Sequence, residues 1–169
     1  MLRMALWLLG AAVIAALWGP DLLKMPGPVD QPVAPAVAAV PSAGARLGDV
    51  VIPADARGQF TVTGKVDGRS FAMLADTGAT TVALRASTAR SLGIFPAPAD
   101  FTTAVSTANG QAFAAPVTLA TLAVGRIELR RVEALVLPDE ALGVNLLGMS
   151  FLKRLSSFHM VDGRLVLTQ

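Results

Sequence analysis

Apolar and polar residues alternate in short runs from about Gln59 to the C-terminus, and turn residues punctuate the runs. Gln59–Val66 and Arg69–Leu74 flank Asp67-Gly68, a dipeptide suited to the positive-φ turns of tight hairpins. Thr102–Thr107 and Ala112–Val124 flank Asn109-Gly110 in the same way. Gly125-Arg126 turns the chain into Ile127–Leu137, rich in Val, Leu and Ile, and Asp162-Gly163 joins His159–Val161 to Arg164–Leu167. Two segments break the strand rhythm and are predicted as short helices: Ser87–Leu92, ended by Gly93, and Ser150–Leu155, following Gly148. The pattern predicts a mainly β domain over residues 48–169, built of short strands with one or two small helices.

The N-terminal third has a different pattern. Met4–Trp18 is one apolar run, preceded by Arg3 and closed by Pro20-Asp21. As a helix rising about 1.5 Å per residue it falls short of a hydrocarbon core of roughly 30 Å, and Leu2, Leu22 and Leu23 extend it. A cleaved signal peptide is the competing reading, and a buried core helix is a third. The nearest small-x-small sites, Ala34-Pro35-Ala36 and Ala36-Val37-Ala38, lie well beyond Trp18, which favours an uncleaved transmembrane anchor over residues 1–23. Arg3 at the short end predicts a single pass through the inner (cytoplasmic) membrane, with the bulk of the chain on the periplasmic side. Residues 24–47 hold Pro26, Pro28, Pro32, Pro35 and Pro41 among Ala and Val, and read as an extended, semi-rigid spacer.

Composition narrows the chemistry. The 169 residues include no cysteine, which excludes disulfides and thiolate metal sites. A net charge of +2 and few aromatics among the basic residues give nucleic-acid binding little support. His159, the single histidine, sits in a predicted strand and reads as structural, so no metal site is expected. Neither a Gly-x-Ser-x-Gly elbow nor a Gly-Lys-Ser/Thr phosphate loop occurs, and no cofactor is implied.

What remains is Phe71-Ala72-Met73-Leu74-Ala75-Asp76-Thr77-Gly78-Ala79-Thr80-Thr81-Val82-Ala83-Leu84. An apolar strand delivers Asp76 from the core to a tight loop, and an apolar strand resumes at Val82. Gly78 permits a backbone turn and the close approach of another chain, and Thr77 offers a hydroxyl to lock the loop. Taken alone, Asp-Thr-Gly is an ordinary strand-end turn. About seventy residues on stands Asn145-Leu146-Leu147-Gly148-Met149-Ser150-Phe151-Leu152, two apolar residues and a glycine before a short helix.

With these two motifs in this order, and with the Thr107-Ala108-Asn109-Gly110 hairpin and the closing hairpin, the chain resembles the retropepsin-like aspartic proteases over about Gln59–Leu167. The anchor and spacer match the membrane-anchored bacterial branch of that family. The resemblance implies a single acid-protease lobe, a closed or partly open β-barrel. It makes Asp76 one catalytic carboxylate. Thr77 would bond across a dimer axis and brace the loop, Gly78 would lie close to substrate backbone, Ala79 would belong to the supporting loop, and Leu146, Leu147 and Gly148 would support it from behind. The hairpin tip at Ala108, Asn109 and Gly110 would be a flap closing over a peptide. Thr80 and Thr81 depart from the family, which often carries acidic residues there.

Aspartic proteolysis needs two carboxylates sharing a proton, because two like charges about 3 Å apart do not both ionise. The chain has one Asp-Thr-Gly and no internal repeat, and Asp100, Asp139 and Asp162 lack a following Thr/Ser-Gly. The expectation is therefore a homodimer in which two copies of Asp76 meet at a two-fold axis and hydrolyse peptide bonds. The alternative is a catalytically silent protease-like module that binds peptides or scaffolds a complex at the cell envelope.

Overall fold

The computed structural model describes residues 48–107 and 110–169. The anchor and spacer expected over 1–23 and 24–47, and the tip residues Ala108 and Asn109, lie outside the described residues.

Among the described residues, ten strands and two short helices occur in chain order: β1 (Val50–Pro53), β2 (Thr61–Val66), β3 (Arg69–Ala75), β4 (Val82–Arg85), α1 (Ala86–Ser91), β5 (Thr103–Thr107), β6 (Gly110–Val124), β7 (Ile127–Leu137), β8 (Leu146–Leu147), α2 (Met149–Leu152), β9 (Ser157–Val161) and β10 (Arg164–Thr168). A 3₁₀ turn, Pro98–Asp100, precedes β5. The mainly β expectation holds. Seven strands form one sheet in the order β2-β3-β8-β4-β7-β6-β5, and β2 also pairs with β6 through Gly64↔Val124 and Lys65↔Ala123. That short pairing curls the sheet into a partly closed barrel. A separate three-stranded sheet runs β1-β10-β9.

The turn residues place the hairpins. Val66 pairs with Arg69 across Asp67 (φ 46°) and Gly68 (φ 82°), and Val161 pairs with Arg164 across Asp162 (φ 48°) and Gly163 (φ 68°). Positive φ at both central residues is what the tight twisted hairpin demands. The β5–β6 hairpin is shifted from the sequence expectation. Thr107 pairs with Gly110, so Gly110 is the first residue of β6 rather than part of the turn. The Thr107 hydroxyl bonds Gly110 O at 2.9 Å across this rung.

β1 was not expected. Its four residues carry a proline, and only long-range pairing with β10 makes them a strand, from Val50↔Leu167 to Pro53↔Arg164. Helix α2 stops at Leu152, short of the expected Leu155, because Arg154 N and Leu155 N bond back three residues, to Phe151 O and Leu152 O, and the last turn tightens.

The core lies inside the barrel. Met73, Leu84, Leu119, Leu122, Ile127, Leu147 and Phe151 are buried, each less than 2% exposed. Strand β7 buries Ile127 and Leu129, then Val132, Ala134 and Val136, so its inward face switches between residues 129 and 132. Arg131, with φ 50°, lies at the switch, and the Arg154 guanidinium bonds the carbonyls of Arg130 (2.8 Å) and Arg131 (3.1 Å) there.

Candidate active site

Asp76 follows the last residue of β3, and three short stretches of backbone hold its loop. Leu74↔Leu146 and Ala75↔Leu147 pair β3 with β8 in parallel, and the next rung continues as Asp76 N donating to Leu147 O at 3.1 Å. Ala79 N closes the turn on Asp76 O at 3.3 Å. On the far side, Met149 N donates to Ala79 O at 2.8 Å. The Asp-Thr-Gly loop and the Leu-Leu-Gly segment are thus bonded directly to each other, as the two motifs imply.

The carboxylate itself is half-buried, and its Oδ1 accepts from Gly78 N at 2.8 Å. This bond is what Gly78 contributes. Its φ is not positive, so the turn does not demand glycine on conformational grounds. A Cβ there would stand 3.1 Å from the Asp76 carboxylate and crowd the oxygen that the amide holds. Thr77 is exposed beside it.

Gly148 has a firmer reason to be glycine. A Cβ at this position would lie 2.4 Å from Thr81 O, 2.6 Å from Thr81 C and 2.7 Å from Ala79 O. All three are backbone atoms of the Asp76 loop and its exit. Leu147 is fully buried behind the loop, whereas Leu146 points the other way and lines the cleft. Successive residues of a strand face opposite sides, so only one of the two leucines expected behind the loop supports it from there.

Asp76 opens into a cleft of about 720 Å³. Ala83, Leu135, Leu137, Leu142, Val144 and Leu146 make its walls apolar, and Thr80 and Thr81 line it as hydroxyl-bearing residues where the family often has acids. Strand β5 contributes Val105, Ser106 and Thr107, which puts the proposed flap strand on the cleft; Gly110 is exposed. Among the described lining residues Asp76 alone carries a charge. A second hollow of about 470 Å³, lined by Phe95, Phe101 and Arg90, shares no residue with the cleft and holds no carboxylate.

Three supporting residues escaped the sequence reading. The buried Ser150 hydroxyl accepts from Val82 N at 2.9 Å and donates to Glu133 O at 2.8 Å. It thereby satisfies two backbone groups whose burial without partners costs about 1–3 kcal/mol each. Buried Asn145 accepts from Arg85 N at 2.9 Å on Oδ1 and donates from Nδ2 to Ala72 O at 2.8 Å, and its carbonyl accepts from Leu74 N at 2.8 Å. Asp139 accepts from Ser87 N and Ser87 Oγ at 3.0 and 3.1 Å and faces Arg85 at 3.5 Å. The Ser87 amide holds the Asp139 carboxyl below the usual carboxylate range; partial burial opposes this, and the Ser87 hydroxyl with the charges of Arg85 and Arg90 adds to it. A carboxyl so depressed adds stability above the ordinary carboxylate range, and that contribution is lost as pH falls through the lowered value. One signal for Ser150 and Asn145 was present: a polar residue inside an apolar run is buried, and buried polar groups find partners.

Residues 62–154 match the family model described as "gag-polyprotein putative aspartyl protease". An uncharacterized protein in the cobV 5′ region of Sinorhizobium sp. is 42% identical over 112 residues, covering 66% of this chain and 48% of that protein. The uncharacterized protein RP867 of Rickettsia prowazekii (strain Madrid E) is 31% identical over 121 residues, covering 72% of this chain and 52% of its own length. The chain therefore spans about half the length of the curated relatives it matches. Among solved structures, a retropepsin-like aspartic protease from Rickettsia conorii superposes with a TM-score of 0.63 at 32% identity, over 72% of this chain and all of the other.

Proposed function

Because this chain belongs to the retropepsin-like aspartic proteases, we propose that it is an aspartic endopeptidase acting as a homodimer, with two copies of Asp76 sharing one water. The observation that carries the proposal is the state of Asp76. It is a half-exposed carboxylate, fixed by a loop amide, the one charge among the described residues of a cleft otherwise lined by apolar side chains and neutral hydroxyls. One carboxylate cannot be base and acid at once. A two-fold axis beside the loop supplies the second, because a residue near such an axis meets its own copy. The ionised copy takes a proton from water as the oxygen adds to the peptide carbonyl, and the protonated copy donates to that carbonyl. Collapse of the adduct breaks the C–N bond, and the amine leaves with a proton from the dyad. Thr77, exposed next to Asp76, is suited to bond across the axis.

A dilution series tests this. Specific cleavage activity of the purified chain should fall as protein is diluted below the dimer dissociation constant, and two copies joined by a linker should lose that dependence, because the second binding step becomes intramolecular. Constant specific activity in a species that sediments as a monomer would sink the two-chain mechanism.

We further infer that residues 1–23 anchor the chain in the inner membrane and that residues 24–47 hold the protease domain on the periplasmic side. Arg3 ahead of the Met4–Trp18 apolar run supports this orientation, and a membrane plane would concentrate the monomers. A reporter fused after Gln169 should be active only outside the cytoplasm; activity confined to the cytoplasm would reverse the topology.

A further inference from the structure

The proposed reaction uses Asp76 and its loop, but one wall of the cleft is held by an anchor of its own. Residues 138–145 leave β7 and return into β8, and Ala141, Leu142, Gly143 and Val144 line the cleft on the way. This segment has no regular structure; one turn bond, Ala141 N to Pro138 O at 3.0 Å, lies within it. Both of its ends are tied to a single residue, Arg85, the last of β4. At the entry, the Arg85 guanidinium stands 3.5 Å from Asp139 Oδ2, while Oδ1 is fixed by the amide and hydroxyl of Ser87. At the exit, Arg85 N donates to Asn145 Oδ1 at 2.9 Å, and Asn145 is itself fixed to β3 through Ala72 and Leu74.

Between these ties the wall is asymmetric. Leu142 is buried in a small cluster with Ala83, Ala114 and Leu137. Val144 is 49% exposed, an apolar side chain left uncovered on the cleft. The position of Val144 thus depends on the ties at either side more than on packing of its own. The Arg85 Nε is buried without a hydrogen-bond partner among the described residues. Such a group is costly, and here it accompanies a partly exposed guanidinium that faces Asp139. A half-exposed ion pair by itself contributes little to stability, so a role confined to holding the fold accounts poorly for this arrangement.

We propose that Arg85 and Asp139 are positioning residues for the substrate: by pinning residues 140–144 they set the wall against which the peptide lies, and so govern how tightly it is held rather than the bond-breaking step. This rests on the protease reading above. The ties that hold the wall run through Asp139 to Arg85 and Ser87 and through Asn145 to Arg85 and β3, not to the carboxylate of Asp76 or the Gly78 amide that holds it, so loosening them weakens ground-state and transition-state binding together, which raises KM and leaves kcat.

The test uses the full chain and three variants. Asp139→Asn keeps an acceptor for Ser87 and removes the charge facing Arg85; Asp139→Ala removes both; Arg85→Lys keeps the cation and the backbone bond to Asn145. Expected is a KM raised about three- to five-fold in Asp139→Asn, with kcat retained, a larger rise in Asp139→Ala, and near wild-type KM in Arg85→Lys. Hydrogen exchange of the amides of residues 141–145 should quicken in both Asp139 variants, with the amides of β3 and β8 unchanged. Unchanged KM, or kcat falling with KM unchanged as the folded fraction drops, overturns the proposal. Unchanged exchange in residues 141–145 overturns it as well, and this readout does not need activity. Failure of the protease reading shows separately, as wild-type chain that cleaves no peptide or that cleaves independently of Asp76.

Discussion

Asp76→Asn should leave a folded protein that does not cleave. The substitution changes one atom of the carboxylate, and the amide oxygen of asparagine can still accept the 2.8 Å bond from Gly78 N. The bonds from Asp76 N to Leu147 O and from Ala79 N to Asp76 O belong to the backbone and do not change. Unfolding midpoints of mutant and wild type should therefore agree closely. Chemistry is lost because an amide neither takes a proton from water nor shares one with the other copy. Loss of a positioned acid or base costs about 10²- to 10⁴-fold, and in a homodimer one substitution removes both roles. A linked dimer with a single Asp76→Asn copy sharpens the result. If both carboxylates belong to one dyad, it should be as inactive as the double variant; half the wild-type rate would mean that each copy works alone. Wild-type turnover by the purified Asp76→Asn protein would remove the aspartic mechanism altogether.

What could be read from the sequence follows from how local each signal is. The β2–β3 and β9–β10 hairpins are encoded in two adjacent residues each, and Asp67-Gly68 and Asp162-Gly163 adopt the positive φ values that their side chains tolerate. The Asp76 loop was legible because two motifs far apart in sequence bond directly in space. β1 was not legible, since Val50–Pro53 becomes a strand only against the last strand of the chain. The inward face of β7 could not be extrapolated along the strand either, because a positive φ at Arg131 accompanies a switch in the buried side that no periodicity announces. The cleft wall was hidden for a related reason. Asp139 and Arg85 are ordinary charged residues in sequence, and their meaning lies in Asn145 returning to the same Arg85 from the other end of the loop. Thr80 and Thr81 depart from the family pattern, and they line the cleft as neutral hydroxyls, which leaves Asp76 as the charge among its described residues.

Gly148→Ala should damage both stability and activity, in contrast to Asp76→Asn. The added methyl would meet Thr81 O, Thr81 C and Ala79 O at 2.4, 2.6 and 2.7 Å. No flexible side chain is there to yield, so backbone must move. Two routes are open. Thr81 and Ala79 can retreat, which stretches the bond from Met149 N to Ala79 O and the bond from Val82 N to Ser150 Oγ. Alternatively Gly148 can retreat with α2, which pulls fully buried Phe151 from the core. Overpacking of this kind typically costs about 1–3 kcal/mol, enough to lower the unfolding midpoint measurably. The effect on catalysis follows from the neighbour. Leu147, immediately before Gly148, accepts from Asp76 N at 3.1 Å, so a shift at 148 passes through one residue to the backbone that aims the carboxylate. A displacement of about 1 Å at a reacting group can cost about 10²-fold in rate, and the two-fold axis proposed here would apply it to both members of the dyad. Gly78→Ala offers an internal comparison. Its Cβ would meet only the Asp76 carboxylate oxygen, at 3.1 Å, so it should lower activity with a smaller loss of stability than Gly148→Ala. Denaturant unfolding and peptide-cleavage rates, measured together on the two alanine variants, decide the matter: an unfolding midpoint and a rate both unchanged in Gly148→Ala would mean that the Leu-Leu-Gly segment does not brace the Asp76 loop.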